Sequence, residues 1–250
     1  MSDAWNPEQY NRFAAERERP FWDLVAHLEP RESARVVDLG CGDGRLTQAL
    51  GQHLGAASVL GFDSSASMLK GAQRYADATT HFARGDLATW SGEGVDVVLA
   101  NASLQWVDDH PAVLSRWMGS LGPGGQLAVQ IPANGDHPSH LVCGELAAEL
   151  LGEGDHVAQN VLAPEDYAIV LASLGASVDV TLRVYLHELA SSEELVEWMK
   201  GTALTRFRQR LSAEDYDELV SEYRRRLLSR VGEHAPYLFT FKRILMYARV

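Results

Sequence analysis

Cysteine is scarce in this sequence: Cys41 and Cys143 are the only two among 250 residues. Two cysteines are too few for a disulfide framework, and their spacing is unlike that of a metal site. The nine histidines suggest no metal site either. We therefore predict a protein of a reducing, cytoplasmic compartment that holds no metal. Cys41 lies among closely spaced glycines, and we interpret it as a small packing residue rather than a nucleophile.

Long hydrophobic runs and clusters of basic residues are also missing. No stretch approaches the roughly 20 apolar residues that span a bilayer, and residues 1–20 lack the apolar run of a signal peptide. The chain has 22 Lys and Arg against 34 Asp and Glu, a net charge of −12 with neutral histidines. Since clustered Lys and Arg bind nucleic-acid phosphates, we exclude membranes and nucleic acids as partners. We expect a monomer or weak homodimer that binds a small molecule.

What the sequence does contain is typical of one α/β domain. Hydrophobic residues make up 46% and charged residues 22% of the chain, enough for a substantial core. Short apolar segments alternate with helix-compatible ones up to residue 132. This alternation predicts a doubly wound, mostly parallel sheet with right-handed crossovers. We predict strands at 34–39, 58–62, 81–83, 95–100 and 127–131, and helices at 45–54, 65–76 and 111–121.

After Pro132 the pattern changes. We predict helices at 138–151 and 164–174, strands at 177–187 and 238–249, and a helical block at 191–231 between those strands. The two late strands complete a seven-stranded sheet with an antiparallel edge strand. We expect a single domain over residues 1–250, with an N-terminal lid helix at about 1–28 and a helical cap insertion at about 191–231. Because open α/β sheets bind ligands at the carboxyl ends of their strands, the lid and cap are expected to form the substrate pocket.

The most informative segment is a strand that runs into three glycines, Gly40, Gly42 and Gly44. Glycines at alternate positions let the backbone turn sharply and approach a ligand where a Cβ would collide. Asp63 follows the second strand, 19 residues after Gly44, and is placed to accept hydrogen bonds from a ribose diol. The alternative is a tight strand–helix turn that binds no ligand.

The glycine spacing indicates which nucleotide cofactor this is. A dinucleotide fingerprint requires glycine where this chain has Arg45, so that a pyrophosphate can bind the helix N-terminus. Asp43 would also repel a pyrophosphate at that place. A cofactor without phosphates, S-adenosylmethionine, suits the loop better, and Asp38 could receive its cationic end.

Other candidate cofactor ligands follow the second and third strands. Asp86 could bind the exocyclic amine of adenine while Leu87 packs on the ring, although an aspartate here could simply cap a turn. Ser64 is a plausible N-cap for the next helix and lies beside Asp63. Met68, one helical turn later, could lie along the cofactor or belong to the core.

A polar run, Asn101-Ala102-Ser103-Leu104-Gln105-Trp106, directly follows the fourth strand. We expect Asn101 and Ser103 to contact the methionine portion of the cofactor. Asn101, Gln105 and Trp106 are the candidate catalytic residues, with the two amides holding the reacting substrate and Trp106 excluding water. Trp106 could alternatively be an ordinary core residue.

These motifs together resemble the seven-stranded S-adenosylmethionine-dependent methyltransferases. Asp38 with its glycines, Asp63, Asp86 and Gly122-Pro123-Gly124-Gly125 occur here in the order of that superfamily. Three segments are similar more narrowly to trans-aconitate 2-methyltransferases: residues 5–20, 101–106 and 127–132. The resemblance covers residues 1–132 well and residues 133–250 in layout and scattered positions.

The resemblance implies an enzyme that forms a methyl ester on a small polycarboxylate such as trans-aconitate. An ionised carboxylate needs no general base, so catalysis would come from holding its oxygen near the methyl donor and excluding water. The remaining carboxylates would need fixed cations, preferably arginine. Each candidate for binding the substrate could instead be a surface or core residue; they are Tyr10, Arg17, Arg19, Trp198, Arg206 and Arg243.

Three alternatives stay open at this level. The acceptor could be another small molecule or a malonyl carrier-protein thioester, although an acidic carrier protein would require a basic rim that a net charge of −12 disfavours. The protein could also be a non-catalytic S-adenosylmethionine-binding module, but a sensor has no use for the polar segment 101–106. A nicotinamide-dependent dehydrogenase is disfavoured by Arg45.

Overall fold

A computed structural model describes residues 14–152, 160–208 and 210–250, with side chains from Glu18 onward. Its centre is a sheet of seven strands in the order β3-β2-β1-β4-β5-β7-β6. Strands β1 to β5 pair in parallel, and β7 pairs antiparallel with β5. The predicted fold class is therefore confirmed. The strands are β1 Arg35–Leu39, β2 Ser58–Asp63, β3 Thr80–Arg84, β4 Val95–Asn101, β5 Leu121–Pro132, β6 Ser177–Leu189 and β7 Tyr237–Arg249.

Helices connect β1 to β2, β2 to β3 and β4 to β5 as predicted, whereas residues 85–94 join β3 to β4 without a helix. The described helices are α1 Ala14–Val25, α2 Arg45–Leu54, α3 Ala66–Ala72, α4 His110–Met118, α5 Pro138–Leu151, α6 Pro164–Ser173, α7 Ser192–Lys200, α8 Thr205–Arg208 and α9 Ala213–Val231. Short 3₁₀ turns cover Gln73–Tyr75 and Leu104–Trp106. None of these described helices is long and apolar enough to cross a membrane.

The chain divides into two compact units. One comprises Arg19–Pro132, Asn160–Arg183 and Arg243–Val250, and the other comprises Met1–Glu18, Ala133–Gln159 and Val184–Lys242. The single-domain organisation, with its lid and cap, stays a prediction, and the first 13 residues of the expected lid helix lie outside the described part of the chain.

One hydrophobic cluster of the first unit lies on the face of the parallel strands that α1 covers. Phe21 and Leu24 of α1 are fully buried there with Val36, Leu50 and Leu99. Buried parallel strands require apolar residues on both faces, which explains the run of valines and leucines in β1 and β4. Each such side chain contributes roughly 1.5–3 kcal/mol by leaving water.

The second unit has a separate, aromatic core. The indole of Trp198 in α7 is 2% exposed and packs edge-on against Phe239, with the ring centroids 5.6 Å apart. Phe207 and Tyr223 are fully buried in the same cluster. The hydroxyl of Tyr223 donates to the carbonyl of Ser139 at 2.9 Å, so α9 and the start of α5 are joined by a buried hydrogen bond.

Two details of the predicted elements are wrong. The N-cap of α3 is Ser65 rather than Ser64, because the hydroxyl of Ser65 accepts from the backbone N–H of Met68 at 3.3 Å. Helix α4 ends at Met118, and the run of glycines at 122–125 lies inside β5 instead of forming a turn before it. Leu121 is opposite Val95 and Gln126 is opposite Val97, so the intervening residues bulge out of the register.

Candidate functional site

The candidate site lies at the carboxyl ends of β1 and β4. These neighbouring strands mark the point where the order of the sheet reverses, since β2 and β3 extend from β1 in one direction and β5 extends from β4 in the other. Open α/β sheets bind ligands at such a switch point. Asp38 is opposite Leu99, and Asn101 is opposite Gln130. Because side chains alternate along a strand, Asp38, Asn101 and Gln130 point to the same face.

The carboxylate of Asp63 is fixed by two backbone donors at the end of β2. The N–H of Gly42 donates to Oδ2 at 2.9 Å, and the N–H of Ser65 donates to Oδ1 at 2.8 Å. Each carboxylate oxygen can accept more than one hydrogen bond, so both retain acceptor capacity. The half-buried side chain is thus held in one orientation beside the glycine loop.

The three glycines of the loop have different roles. All three have positive φ angles: 86° at Gly40, 57° at Gly42 and 78° at Gly44. A Cβ on Gly40 would come within 2.3 Å of the Cβ of Ser103, and one on Gly44 within 2.6 Å of the Phe82 ring. A Cβ on Gly42 would meet no described atom within 4 Å. Protein packing therefore explains Gly40 and Gly44, whereas only Gly42 of these three leaves space for a ligand.

Asp38 is a buried carboxylate with unused acceptor capacity. Its side chain is 4% exposed, and Oδ2 accepts from the hydroxyl of Thr47 at 2.6 Å. Among the described residues, Oδ1 has no hydrogen-bond partner. Burial raises the pKa of Asp38 to about 6, the Thr47 hydrogen bond opposes this shift, and the nearby charge of Asp63 adds to it. Such a group favours a cationic ligand, which would stabilise its ionised form.

Cys41 is not an activated nucleophile. The thiol is 8% exposed, and its pKa is raised by burial and by the charges of Asp38 and Asp63. A reactive cysteine needs a lowered pKa. The interpretation of Cys41 as a packing residue therefore fits its surroundings.

The polar segment after β4 is held by hydrogen bonds within the first unit. The hydroxyl of Ser103 donates to the carbonyl of Leu39 at 2.6 Å, which ties this segment to the end of β1. The side-chain amide of Gln105 donates to the carbonyl of Ala102 at 2.7 Å, and its own oxygen has no partner among the described residues. Trp106 is 63% exposed, so it is not a core residue.

The residues directly after the 3₁₀ turn Leu104–Trp106 are held by hydrogen bonds to α6 and to the segment before α6. Nδ1 of His110 lies 2.6 Å from the hydroxyl of Tyr167, which also accepts from the N–H of Leu162 at 3.1 Å. The amide of Asn160 donates to the carbonyl of Val107 at 3.1 Å. His110 is the first residue of α4, and its contact with Tyr167 joins the start of that helix to α6.

The remaining predicted cofactor ligands follow β2 and β3, with Met68 inside α3. Asp86 is exposed, and its Oδ1 accepts from the N–H of Ala88 at 2.9 Å. This is the turn-capping contact that the sequence left as an alternative, and the second oxygen retains its acceptor capacity. Leu87 and Met68 are half-buried, and Ser64 is exposed.

The predicted substrate ligands are divided between the two units. In the first unit, the Arg243 side chain is buried at 8% exposure, and Nε of Arg19 is 3.9 Å from Asp23. In the second unit, Trp198 belongs to the core, and the Arg206 guanidinium donates to the carbonyl of Cys143 at 3.2 Å. Tyr10 and the side chain of Arg17 lie outside the described residues.

Sequence reasoning missed two polar residues at this edge, Thr47 and Gln130. Thr47 is nine positions after Asp38 and lies in the first turn of α2, facing β1. Gln130 interrupts an apolar strand near its carboxyl end. A polar residue within an otherwise apolar run was the signal in the sequence that could have identified Gln130. Among the described residues, no group of three or more metal-binding side chains occurs.

Comparisons with known proteins agree with this fold. A family model described as a methyltransferase domain matches residues 36–125. Among solved structures, the YcgJ protein from Bacillus subtilis superimposes with a TM-score of 0.65 at 13% identity, covering 93% of this chain and 98% of that one. Phosphoethanolamine N-methyltransferase 2 from Haemonchus contortus, in complex with S-adenosyl-L-methionine, gives 0.57 at 19% identity, covering 93% and 52%. At these identities the structures support the fold alone.

Relatives in sequence are much nearer. A trans-aconitate 2-methyltransferase from Deinococcus radiodurans is 43% identical, covering 98% of this chain and 97% of that protein. A protein of the same name from Mycobacterium sp. strain KMS is 40% identical, covering 98% and 99%. The chain therefore belongs to the trans-aconitate 2-methyltransferase family.

Proposed function

We propose that this protein is an S-adenosylmethionine-dependent carboxyl O-methyltransferase that forms a methyl ester on trans-aconitate. The observation that carries the proposal is the set of acceptors at the ends of β1 and β2. Asp63 is oriented by two backbone N–H groups, and Asp38 is buried with Oδ1 unpartnered among the described residues. In the loop that follows β1, Gly42 leaves open space where a side chain would otherwise stand. Relatives at 43% and 40% identity carry the name of this activity.

These residues suit a nucleoside cofactor with a cationic tail. The Asp63 carboxylate would accept from the two ribose hydroxyls, and Asp38 would bind the cationic end. Asp86 and Leu87 would hold the adenine, while the backbone at Gly42 would approach the cofactor without a Cβ. When bound, S-adenosylmethionine supplies an electrophilic methyl group on a sulfonium.

The residues after β4 are suited to positioning rather than to proton transfer. A carboxylate is already ionised at neutral pH, so no general base is needed. Among the candidate bases, the pKa of His110 is lowered by burial, and its Nδ1 is engaged by Tyr167. Asn101 and Gln105 offer amide groups at the end of β4, and the exposed indole of Trp106 is available to cover a ligand there.

The acceptor also needs positive charge, because the protein as a whole carries −12. We propose Arg243 as one source, since it lies midway along β7, opposite Pro132 at the carboxyl end of β5. A buried guanidinium binds a carboxylate through two parallel hydrogen bonds. Arg206, Arg19, Arg17 and Tyr10 remain candidates for the other contacts, whereas Trp198 is buried in the core of the second unit.

A methyl-transfer assay tests this function. Labelled S-adenosylmethionine would be offered with trans-aconitate, cis-aconitate, isocitrate, citrate or malonyl carrier protein. We expect base-labile label on trans-aconitate, because methyl esters hydrolyse in base. Transfer to the carrier protein instead would overturn the proposed acceptor, and cofactor binding without transfer to any acid would overturn the proposed reaction.

A further inference from the structure

Two glutamines of β5, Gln126 and Gln130, are almost completely buried on the same face of the strand, at 2% and 1% exposure. The side chain of Gln126 is fully used within the protein. Its Oε1 accepts from the N–H of Glu29 at 2.7 Å and from the hydroxyl of Tyr247 at 2.9 Å, and its Nε2 donates to the carbonyl of Glu29 at 2.9 Å. Gln126 thus joins three segments and has a structural role.

Gln130 has a different environment. Its Nε2 donates to Oδ1 of Asn101 at 2.9 Å, and its backbone carbonyl accepts from the N–H of Ala102 at 2.8 Å. Its side-chain oxygen, Oε1, is buried and has no hydrogen-bond partner among the described residues. A buried amide oxygen without a partner costs roughly 1–3 kcal/mol, and buried polar groups are normally paired. This oxygen therefore points to a ligand.

The place of Gln130 in the sheet agrees with that role. Gln130 is directly opposite Asn101, near the carboxyl ends of β5 and β4. Gln126 lies four residues earlier, toward the amino end of the strand. The two glutamines are thus matched in strand, face and burial, but only Gln130 lies at the edge where ligands bind.

The pair of amides presents two opposite polarities. With Gln130 donating to Oδ1 of Asn101, the Nδ2 hydrogens of Asn101 and Oε1 of Gln130 are left for a ligand. If both amides were turned over, the pair would still leave one N–H donor and one carbonyl acceptor. The two reactants of the proposed function have opposite charges, an anionic carboxylate and a cationic sulfonium. One donor and one acceptor side by side match both.

We propose that Gln130 is a positioning residue for the methyl acceptor: it holds the Asn101 amide so that its N–H group faces the acceptor carboxylate. This inference rests on the proposed function, because it assumes a carboxylate acceptor. Asn101 makes the contact with the acceptor carboxylate, and for that contact Gln130 acts through Asn101. Its own Oε1 is left to face the cationic methyl donor. The residue sets the affinity for the acceptor and leaves the nucleoside end of the cofactor untouched.

The first test compares one substitution at the two matched sites. Gln130→Met keeps the length of the side chain and removes both hydrogen-bonding groups. We expect a roughly tenfold rise in KM for trans-aconitate, the size expected for an oriented hydrogen bond to a charged group. The Kd of trans-aconitate, measured by calorimetry with S-adenosylhomocysteine bound, should rise equally. Gln126→Met should lower the melting temperature and leave both values within twofold of wild type. If Gln126→Met does not fold, Tyr247→Phe is the control.

The second test asks whether Gln130 acts through Asn101. In an Asn101→Ala background, Gln130→Met should have no further effect on the Kd or KM of trans-aconitate. An equal effect in both backgrounds would overturn the inference, as would a lower melting temperature for Gln130→Met with an unchanged Kd. Wild-type turnover on trans-aconitate with unaltered variants would overturn this inference alone. A wild type that neither binds nor methylates trans-aconitate would overturn the proposed function itself.

Discussion

Thr47 donates its hydroxyl hydrogen to Oδ2 of Asp38 across 2.6 Å, joining the first turn of α2 to the end of β1. This bond lowers the pKa of the carboxyl, but burial outweighs it and the charge of Asp63 adds to the effect, so the pKa is about 6. Asp38 therefore changes its charge within the range in which most enzymes are assayed. Both the binding and the stability of the protein should depend on that change.

We predict that S-adenosylmethionine binding weakens in acid with a midpoint near pH 6. Above this pH Asp38 is ionised and attracts the cationic end of the cofactor, whereas below it the carboxyl is protonated and neutral. The Kd should rise toward tenfold for each pH unit below the midpoint. Calorimetric titrations from pH 5 to 8 would measure this. Asp38→Asn should give weak binding at every pH, and Thr47→Val should move the midpoint upward. A Kd independent of pH in the wild type would contradict the proposed role of Asp38.

The same shift predicts that Asp38 destabilises the free protein at neutral pH. The pKa is about 6 in the folded state, against the ordinary aspartate value of 3.8 that applies when the chain is unfolded. The folded state thus holds the proton more tightly, and stability falls as the pH rises from about 4 to about 6. The full penalty, present above pH 6, is roughly 3 kcal/mol. Asp38→Asn should therefore raise the free energy of unfolding at pH 8 by up to that amount, measured by urea denaturation, and should give little gain at pH 4.

Asp63→Ala should weaken cofactor binding at least tenfold. Hydrogen bonds to a charged group are worth roughly 1.5–3 kcal/mol each, and the ribose would lose its carboxylate partner. Asp96 is a suitable control, because its carboxylate also accepts a backbone hydrogen bond, from Arg35 at 2.8 Å, but lies at the opposite end of a strand. Asp96→Ala should reduce stability and leave the Kd of S-adenosylmethionine unchanged. Equal affinity in the Asp63 variant and the wild type would exclude the ribose contact.

Alanine substitutions in the glycine loop should separate binding from folding. At Gly44, a Cβ would collide with Phe82 and with Ala72, and the φ angle is 78°. We expect about 1–3 kcal/mol lost to overpacking and a further 1–2 kcal/mol from the left-handed backbone. At Gly42 only the backbone term applies, because the added Cβ meets no described atom within 4 Å. Gly42→Ala should thus fold with a modest loss of stability but bind S-adenosylmethionine more weakly, as denaturation and calorimetry would show.

Those predictions depend on structural features that could be predicted in part from the sequence. Helices α2 and α5 have the predicted bounds because their ends carry strong signals: each is followed by a glycine in a left-handed conformation, Gly55 and Gly152. The acidic residues at the strand ends, Asp38 and Asp63, could also be placed, since a strand followed by a carboxylate is a local pattern. The glycine-rich segment 122–125 misled the prediction, because its composition is that of a turn although the structure includes it in β5.

The contacts that give the residues of the candidate site their different roles could not be predicted from the sequence. That Gly40 packs on Ser103, or that Gly42 faces open space, depends on which strands are neighbours. The bond between Thr47 and Asp38 and the pairing of Gln130 with Asn101 likewise depend on register between elements far apart in sequence. Local propensity carries no information on such contacts, so the sequence indicated which strand ends carry the candidate site without indicating how its side chains are held.

Finally, Tyr167→Phe should destabilise the first unit without removing any residue of the candidate site. The Tyr167 hydroxyl accepts from the N–H of Leu162 and lies 2.6 Å from Nδ1 of His110. Its removal leaves the buried His110 and the half-buried Leu162 without this partner, at a cost of roughly 1–3 kcal/mol. Urea denaturation at pH 8 would measure the loss, and Tyr75→Phe, a half-buried tyrosine in a 3₁₀ turn, should change stability by less than about 0.5 kcal/mol.

The pH dependence of the folding stability provides a second measurement of the contact between His110 and Tyr167. Burial lowers the pKa of His110 below the ordinary histidine value of 6.5, so the unfolded chain takes up a proton before the folded one does. The contribution of neutral His110 to stability is therefore complete above pH 6.5 and is lost as the pH falls below it. Because Asp38 has the opposite slope between about pH 6 and 4, the comparison should be made in the Asp38→Asn background. There, stability should fall from pH 7 to 5, and His110→Asn should reduce the slope. Burial lowers the pKa of His137 as well, so part of the slope stays in that variant. An unchanged slope would assign the pH dependence to groups other than His110.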